Sequence, residues 1–222
     1  DAYHRQAVNF ALYGGDFETW RTADLGGSPP DYSDSGITGA TVLGKNAVIR
    51  ADAGAAIVLG SHAQVTVDGT ITAPGGSITL TGDTGKGGYA QNPGLIVNGN
   101  AWTSDNKSVW LGANTLLDVS GAILQDPYAG QSGFTVASGG KVLDGGTITL
   151  SDDTGYVIAL NCLDTGECAG TTATRAATLK ADGVSGSLRL PFGTSSNWTS
   201  QAVAGDAGTI RIVASKGLYF HG

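Results

Sequence analysis

The phrase LDGGTITLSDDTG, residues 143–155, occurs in three versions along this chain. Residues 73–83 read APGGSITLTGD and residues 204–215 read AGDAGTIRIVAS. A turn of small residues followed by an alternating five-residue strand thus recurs at Ser77, Thr147 and Thr209, at offsets of 70 and 62 residues. In each version two Ile or Leu positions two apart alternate with Thr, Ser or Arg, the period of a strand with one buried face. Ile148 and Leu150 are therefore expected to point inward.

From Thr41 onward the chain is a procession of such strands, among them TVL, AIVL, QVTV, SVWL, YVIAL, SLRL and LYF, separated by Gly, Asn and Asp. Val, Ile and Thr suit a pleated surface, and regular short strands with turn signals between them predict an all-β fold. A shift of 52 residues lays AIVLGSHAQVTVDGTI (56–71) over SVWLGANTLLDVSGAI (108–123), matching Leu59 to Leu111, Gly60 to Gly112 and Val67 to Val119. That shift also sets Trp110 over Val58 and Asn114 over His62. Internal repetition with unequal offsets is what a solenoid with variable loops would show. At roughly 20–25 residues per coil, residues 41–222 predict about eight coils, a rod of about 35–40 Å.

Two segments break the pattern. In residues 1–40, Tyr3, Ala7, Phe10 and Ala11 fall at helical spacing, and Asp16 precedes Phe17 and Trp20 as an N-cap would. This region is expected to be irregular or short-helical and to pack on the rod. Residues 160–177, LNCLDTGECAGTTATRAA, form a polar excursion containing both cysteines, Cys162 and Cys168. Their spacing admits a disulfide in an oxidising setting, or two free thiols; zinc would need further ligands. Loops leaving a rigid scaffold are where binding tends to sit. Two more excursions, at 83–94 and 124–133, each carry a tyrosine.

The net charge is −7 and the 12 Lys and Arg residues are scattered, which argues against nucleic acid and anionic membrane surfaces as partners. No apolar run approaches the ~18 residues of a spanning helix. The N-terminal DAYHRQ lacks the features of a signal peptide, and with no Met in its 222 residues the chain reads as a piece of something longer.

Solenoids can carry polysaccharide-cleaving sites, which need two carboxylates facing one sugar. Asp152 and Asp153 are adjacent and, in a strand, would face opposite sides; a turn role fits them better. Glu18 and Glu167 are the only glutamates. His4, His62 and His221 show no metal-ligand spacing. GQSGF (130–134) lacks the spacing of a nucleophile elbow, and TGDTGKGG (81–88) has Gly87 where a phosphate loop needs Ser or Thr. No catalytic residue, cofactor or metal is assigned. Trp102, Trp198, Tyr89 and Tyr128 are the candidate ligand contacts, because aromatic faces stack on sugar rings; the two tyrosines fall in excursions, and Trp102 and Trp198 in the polar surroundings AWTSDNK and SSNWTSQ. Asn106 and Asn197 match the glycosylation sequon.

Residues 50–82, 108–122 (SVWLGANTLLDVSGA), 142–159 (VLDGGTITLSDDTGYVIA) and 204–222 resemble the repetitive body of large bacterial exoproteins of the filamentous haemagglutinin family. The resemblance implies a right-handed parallel β-helix over residues 41–222, exported through an outer-membrane partner transporter by two-partner secretion. It also implies a place on the cell surface as an adhesin rod or filament that contacts a surface glycan or receptor. QNPGL (91–95) departs from the Asn-Pro motifs of that family's secretion domain, so the segment is expected to lie further along such a protein.

Overall fold

The computed structural model describes residues 5–14, 41–61, 64–82, 90–97, 100–104, 108–131, 139–153, 155–164, 166–169, 174–191 and 197–221. Those residues are all-β, without a helix. With strands numbered in chain order, fourteen of them form three stacked parallel sheets. The first sheet runs β1 (Phe10–Gly14), β4 (Ala56–Ser61), β7 (Ser77–Gly82), β14 (Thr147–Asp152), β19 (Thr209–Ala214). The second runs β2 (Thr41–Leu43), β5 (Gln64–Val67), β10 (Ser108–Leu111), β15 (Tyr156–Ala159), β20 (Gly217–Phe220). The third runs β3 (Val48–Arg50), β6 (Thr70–Thr72), β11 (Leu116–Asp118), β16 (Thr178–Lys180). Along the chain these strands fall in the first, second and third sheet in turn, and the cycle then begins again.

The repeated phrase marks the first sheet. Thr147 pairs with Ser77 on one side and with Thr209 on the other, so the offsets of 70 and 62 residues are the stacking register itself. Ile57, Ile78 and Ile148 form one inward ladder and Leu59, Leu80 and Leu150 a second, each 0–1% exposed. Val65, Val109 and Val157 close the core from the second sheet, and Ile71 and Leu117 from the third. Removing a large side chain from such a ladder costs about 2–5 kcal/mol.

The small residues before each strand are also explained by stacking. Thr147 N–H donates to Gly76 O at 3.0 Å, and Thr209 N–H to Gly146 O at 2.9 Å. A Cβ on Gly146 would run into the Gly76 carbonyl, and one on Gly208 into the Gly146 carbonyl. Glycine is required here by the backbone of the neighbouring rung.

Several expectations change. The 52-residue shift superposes strands of different sheets: Leu59 belongs to β4, whereas Leu111 in β10 stacks on Val67 in β5. The true offset is 44 residues from Gln64 to Ser108, and Trp110 stacks on Thr66 rather than on a counterpart of Val58. The shift misleads because both segments are apolar alternations ending in glycine. Among the described residues the stack has five rungs where about eight coils were expected, because the excursions consume chain. Among the described residues, the segments between rungs pair as antiparallel hairpins where loops were expected, β8 (Ala90–Val97) with β9 (Asn100–Ser104), β12 (Ala122–Gln125) with β13 (Gly140–Leu143), and β17 (Val184–Pro191) with β18 (Trp198–Gly205). The register of β8 is irregular between Gln91 and Ile96, a span that contains Pro93, which has no N–H to give a ladder.

The helical reading of residues 3–11 is overturned where it can be compared. Phe10–Gly14 is a strand whose Phe10 and Leu12 stack on Ile57 and Leu59, so stacking begins in the 1–40 segment rather than at Thr41. Edge pairing along β4 offers five residues a ladder, and it wins over a weak helical spacing. The N-cap at Asp16 and the Phe17–Trp20 pair lie outside the described residues. At the two ends of the stack Phe10, Leu12, Ile210, Leu218 and Phe220 are 43–55% exposed.

Candidate functional site

The corners joining the second sheet to the third carry a polar seam. Asn46 adopts the left-handed conformation, φ 66°, in the first of them. One rung on, Asp68 accepts from the Asn114 backbone N–H at 3.0 Å and from Asn114 Nδ2 at 3.1 Å to each carboxylate oxygen. Asn114 Nδ2 also reaches Glu167 Oε2 at 3.2 Å. Glu167 thereby enters the seam from the cysteine-containing excursion, where Lys45 Nζ approaches it at 3.3 Å and Arg175 Nη2 at 3.4 Å.

Cys162 and Cys168 form a disulfide, with Cα atoms 5.2 Å apart. Both are buried against Ala113 of the neighbouring corner. Asn161 Oδ1 accepts from the N–H groups of Leu163 and Asp164 at 2.9 and 3.0 Å, which shapes the entry turn. Cys162 N–H donates to Arg175 O at 2.7 Å, closing the base of the loop. On the far side His221 Nδ1 lies 3.0 Å from Asp164 Oδ2, with Tyr219 edge-on to the imidazole. The excursion is thus a strap along the corner. Its two described acids, Asp164 and Glu167, face rungs from the first, Lys45, to the last, His221. The Lys45 and Arg175 ion pairs with Glu167 are partly exposed, and each contributes at most about 1 kcal/mol.

Beside the strap an open cleft of about 550 Å³ is lined by Asn114, Thr115, Arg175, Thr178 and Lys180. Sequence reasoning had marked the excursion as a site of binding. What the geometry adds is that its carboxylates are committed to the protein itself.

A second corner brings candidate residues together. After β12 the chain folds tightly over Asp126–Gln131: Asp126 is buried, its Oδ1 accepts from Tyr128 N–H at 2.9 Å, and Gln131 Nε2 donates to Pro127 O at 2.6 Å. Gly130, at φ +71°, faces the β17–β18 hairpin. A Cβ there would lie 3.0 Å from Arg189 Nη2 and 3.2 Å from Trp198 Cγ, so one point touches both groups. Arg189 pairs with Ser200 and Pro191 with Trp198. Opposed residues of an antiparallel pair share a face, as do residues two apart, so Arg189, Trp198 and Ser200 lie on one side of the hairpin. Arg189 is exposed, Trp198 half-buried and Tyr128 38% exposed.

Of the four aromatic candidates, Trp198 and Tyr128 therefore belong to this corner. Trp102 falls on β9, in the β8–β9 hairpin, and Tyr89 lies outside the described residues, as do His4, His62, Glu18 and Asn106. Arg189 was missed. Its only signal in the sequence is the alternation in SLRLP, and nothing there tells that Trp198 returns beside it.

Asp152 and Asp153 separate as a strand end requires: Asp152 is fully buried beside Gly82, and Asp153 is exposed. Among the described residues no group of three or more His, Cys, Asp or Glu is placed to hold a metal ion. No protein-family model, curated protein sequence or solved structure matches the chain.

Proposed function

We propose that this chain is a segment of a secreted bacterial surface exoprotein, a right-handed parallel β-helix that acts as an adhesin rod and holds hairpin excursions out toward a surface glycan or receptor. The observation that carries the reading is the cyclic order of the strands through three parallel sheets, with Ser77, Thr147 and Thr209 in register. A stack whose strands pair only with those of adjacent rungs can fold rung by rung. That suits export in the unfolded state through an outer-membrane partner transporter. The reading assigns the chain no catalytic chemistry and no cofactor, and its ligand contacts are the aromatic residues of the excursions.

A second reading, a spacer without a ligand, draws support from the strap, whose acids are turned to the rod. One experiment separates the two. The purified segment is presented to a broad glycan array and to intact host and bacterial cells, beside a Trp198→Ala variant of equal thermal stability. Saturable binding that is weakened in the variant supports the adhesin. Absence of binding on every surface leaves the spacer.

A further inference from the structure

We infer that the corner formed by Gly130, Arg189 and Trp198 is a binding site for a pyranose carrying a carboxylate, a uronic acid unit within a polysaccharide. The inference deepens the adhesive reading and rests on it for its setting, though not for its chemistry.

Three features point to this ligand. The Trp198 indole and the Arg189 guanidinium both lie against Gly130 on one face of the hairpin, with Trp198 half-buried and Arg189 exposed; an indole suits the apolar face of a sugar ring and a guanidinium a planar carboxylate. Among the described residues no carboxylate pairs with Arg189, whereas Arg5 pairs with Asp52, and Lys45 and Arg175 both pair with Glu167. The five donors of Arg189 are therefore not taken up by an ion pair with any described residue. Ser200, exposed on the same face opposite Arg189, adds a hydroxyl that can donate or accept.

The platform is also held in shape. Leu188, 3% exposed, anchors β17 against the β12–β13 hairpin, where its Cδ2 lies 2.8 Å from the Cβ position of Gly140. The Asp126 turn fixes the loop that carries Gly130 and Tyr128. Groups held on a paired hairpin lose little freedom when a ligand arrives. The whole chain carries a net charge of −7, so its overall field does not draw anions in. Recognition of an acidic sugar has to come from direct contact at Arg189, and changing that one residue should remove it.

The test is calorimetric titration of the purified segment with tetragalacturonate and with its neutral methyl ester, for the wild type and for Arg189→Ala, Arg189→Lys and Trp198→Phe. The expected result is measurable binding of the acid, at least tenfold weaker binding of the ester, and at least a tenfold loss in Arg189→Ala with an unchanged thermal midpoint. Arg189→Lys should recover part of that loss, and Trp198→Phe should weaken both ligands. Equal affinity for acid and ester, an unaffected Arg189→Ala, or no binding of the acid at all overturns the site. The adhesive reading is scored separately: capture of cells by a wild-type segment that does not bind tetragalacturonate overturns this corner and leaves the adhesin. Tetragalacturonate binding by a segment that captures no cell or array glycan supports the corner and removes the adhesin.

Discussion

Gly146 lies directly over Gly76 in the stack, so close that the Gly76 carbonyl occupies the place a Cβ on Gly146 would take. The same relation holds between Gly208 and Gly146, and it ties a phrase in the sequence to a distance between rungs. Gly146→Ala should destabilise the protein by about 3 kcal/mol or more, since overpacking a fixed backbone contact costs at least as much as overpacking a core. Gly44→Ala, where nothing lies within 4 Å of the new methyl group, should stay within about 0.5 kcal/mol of wild type. Urea unfolding of the two variants measures both. Equal midpoints would contradict the close approach.

The inward ladders predict a contrast between neighbours on one strand. Ile148→Ala and Leu150→Ala, each removing a fully buried side chain, should each lose about 2–5 kcal/mol. Thr147→Ala, on the exposed side of β14, should change stability by about 0.5 kcal/mol or less. The same denaturation curves report it, and a comparable loss at Thr147 would place the buried face wrongly.

The strap should act on stability. A disulfide closing so short a loop contributes about 2 kcal/mol when the chain-entropy model holds, so the Cys162→Ser, Cys168→Ser double variant should lose roughly that much. Both sulfurs are buried, so reductant should act on the native protein slowly, with thiol release tracking unfolding. Rapid release without loss of structure would show that the strap is not anchored as described.

Asn114 bridges two carboxylates, Asp68 and Glu167. Asn114→Asp keeps the shape, replaces an NH₂ donor by the oxygen of a third carboxylate, and sets like charges at hydrogen-bond distance. It should destabilise by about 1–3 kcal/mol, and more at low salt than at high salt, because partly exposed charges are screened. A salt-independent effect would mean that packing rather than charge is at work in the seam.

How much of this was legible in the sequence depended on whether a feature is local. The register of β7, β14 and β19 was readable, because each strand carries its own glycine turn and the same inward pattern, so the offsets of 70 and 62 residues could be counted directly. The register of β5 and β10 was not. QVTV and SVWL share alternation alone, and a false match at 52 residues looked as good as the true one at 44. Phe10 and Ala11 suited either period, and the partner that decides for a strand, β4, lies more than forty residues away. Tyr128 and Trp198 could be singled out one at a time as aromatics in polar loops. Their shared corner with Arg189 depends on a loop packing against a hairpin, a contact between segments that no periodicity records.

The stacking register is what every later step stands on, and it can be measured directly. Thr79 and Thr149 are partners on adjacent strands of the first sheet, at about the 4.8 Å strand spacing, within reach of a disulfide. In a background with Cys162 and Cys168 replaced by Ser, the pair Thr79→Cys and Thr149→Cys should oxidise to a crosslink in high yield while the fold is retained. The pair Thr79→Cys and Ser151→Cys, two residues out of register, should not. Crosslinking of the second pair in preference to the first, or of neither in the folded protein, would contradict the stacked rungs and with them the rod.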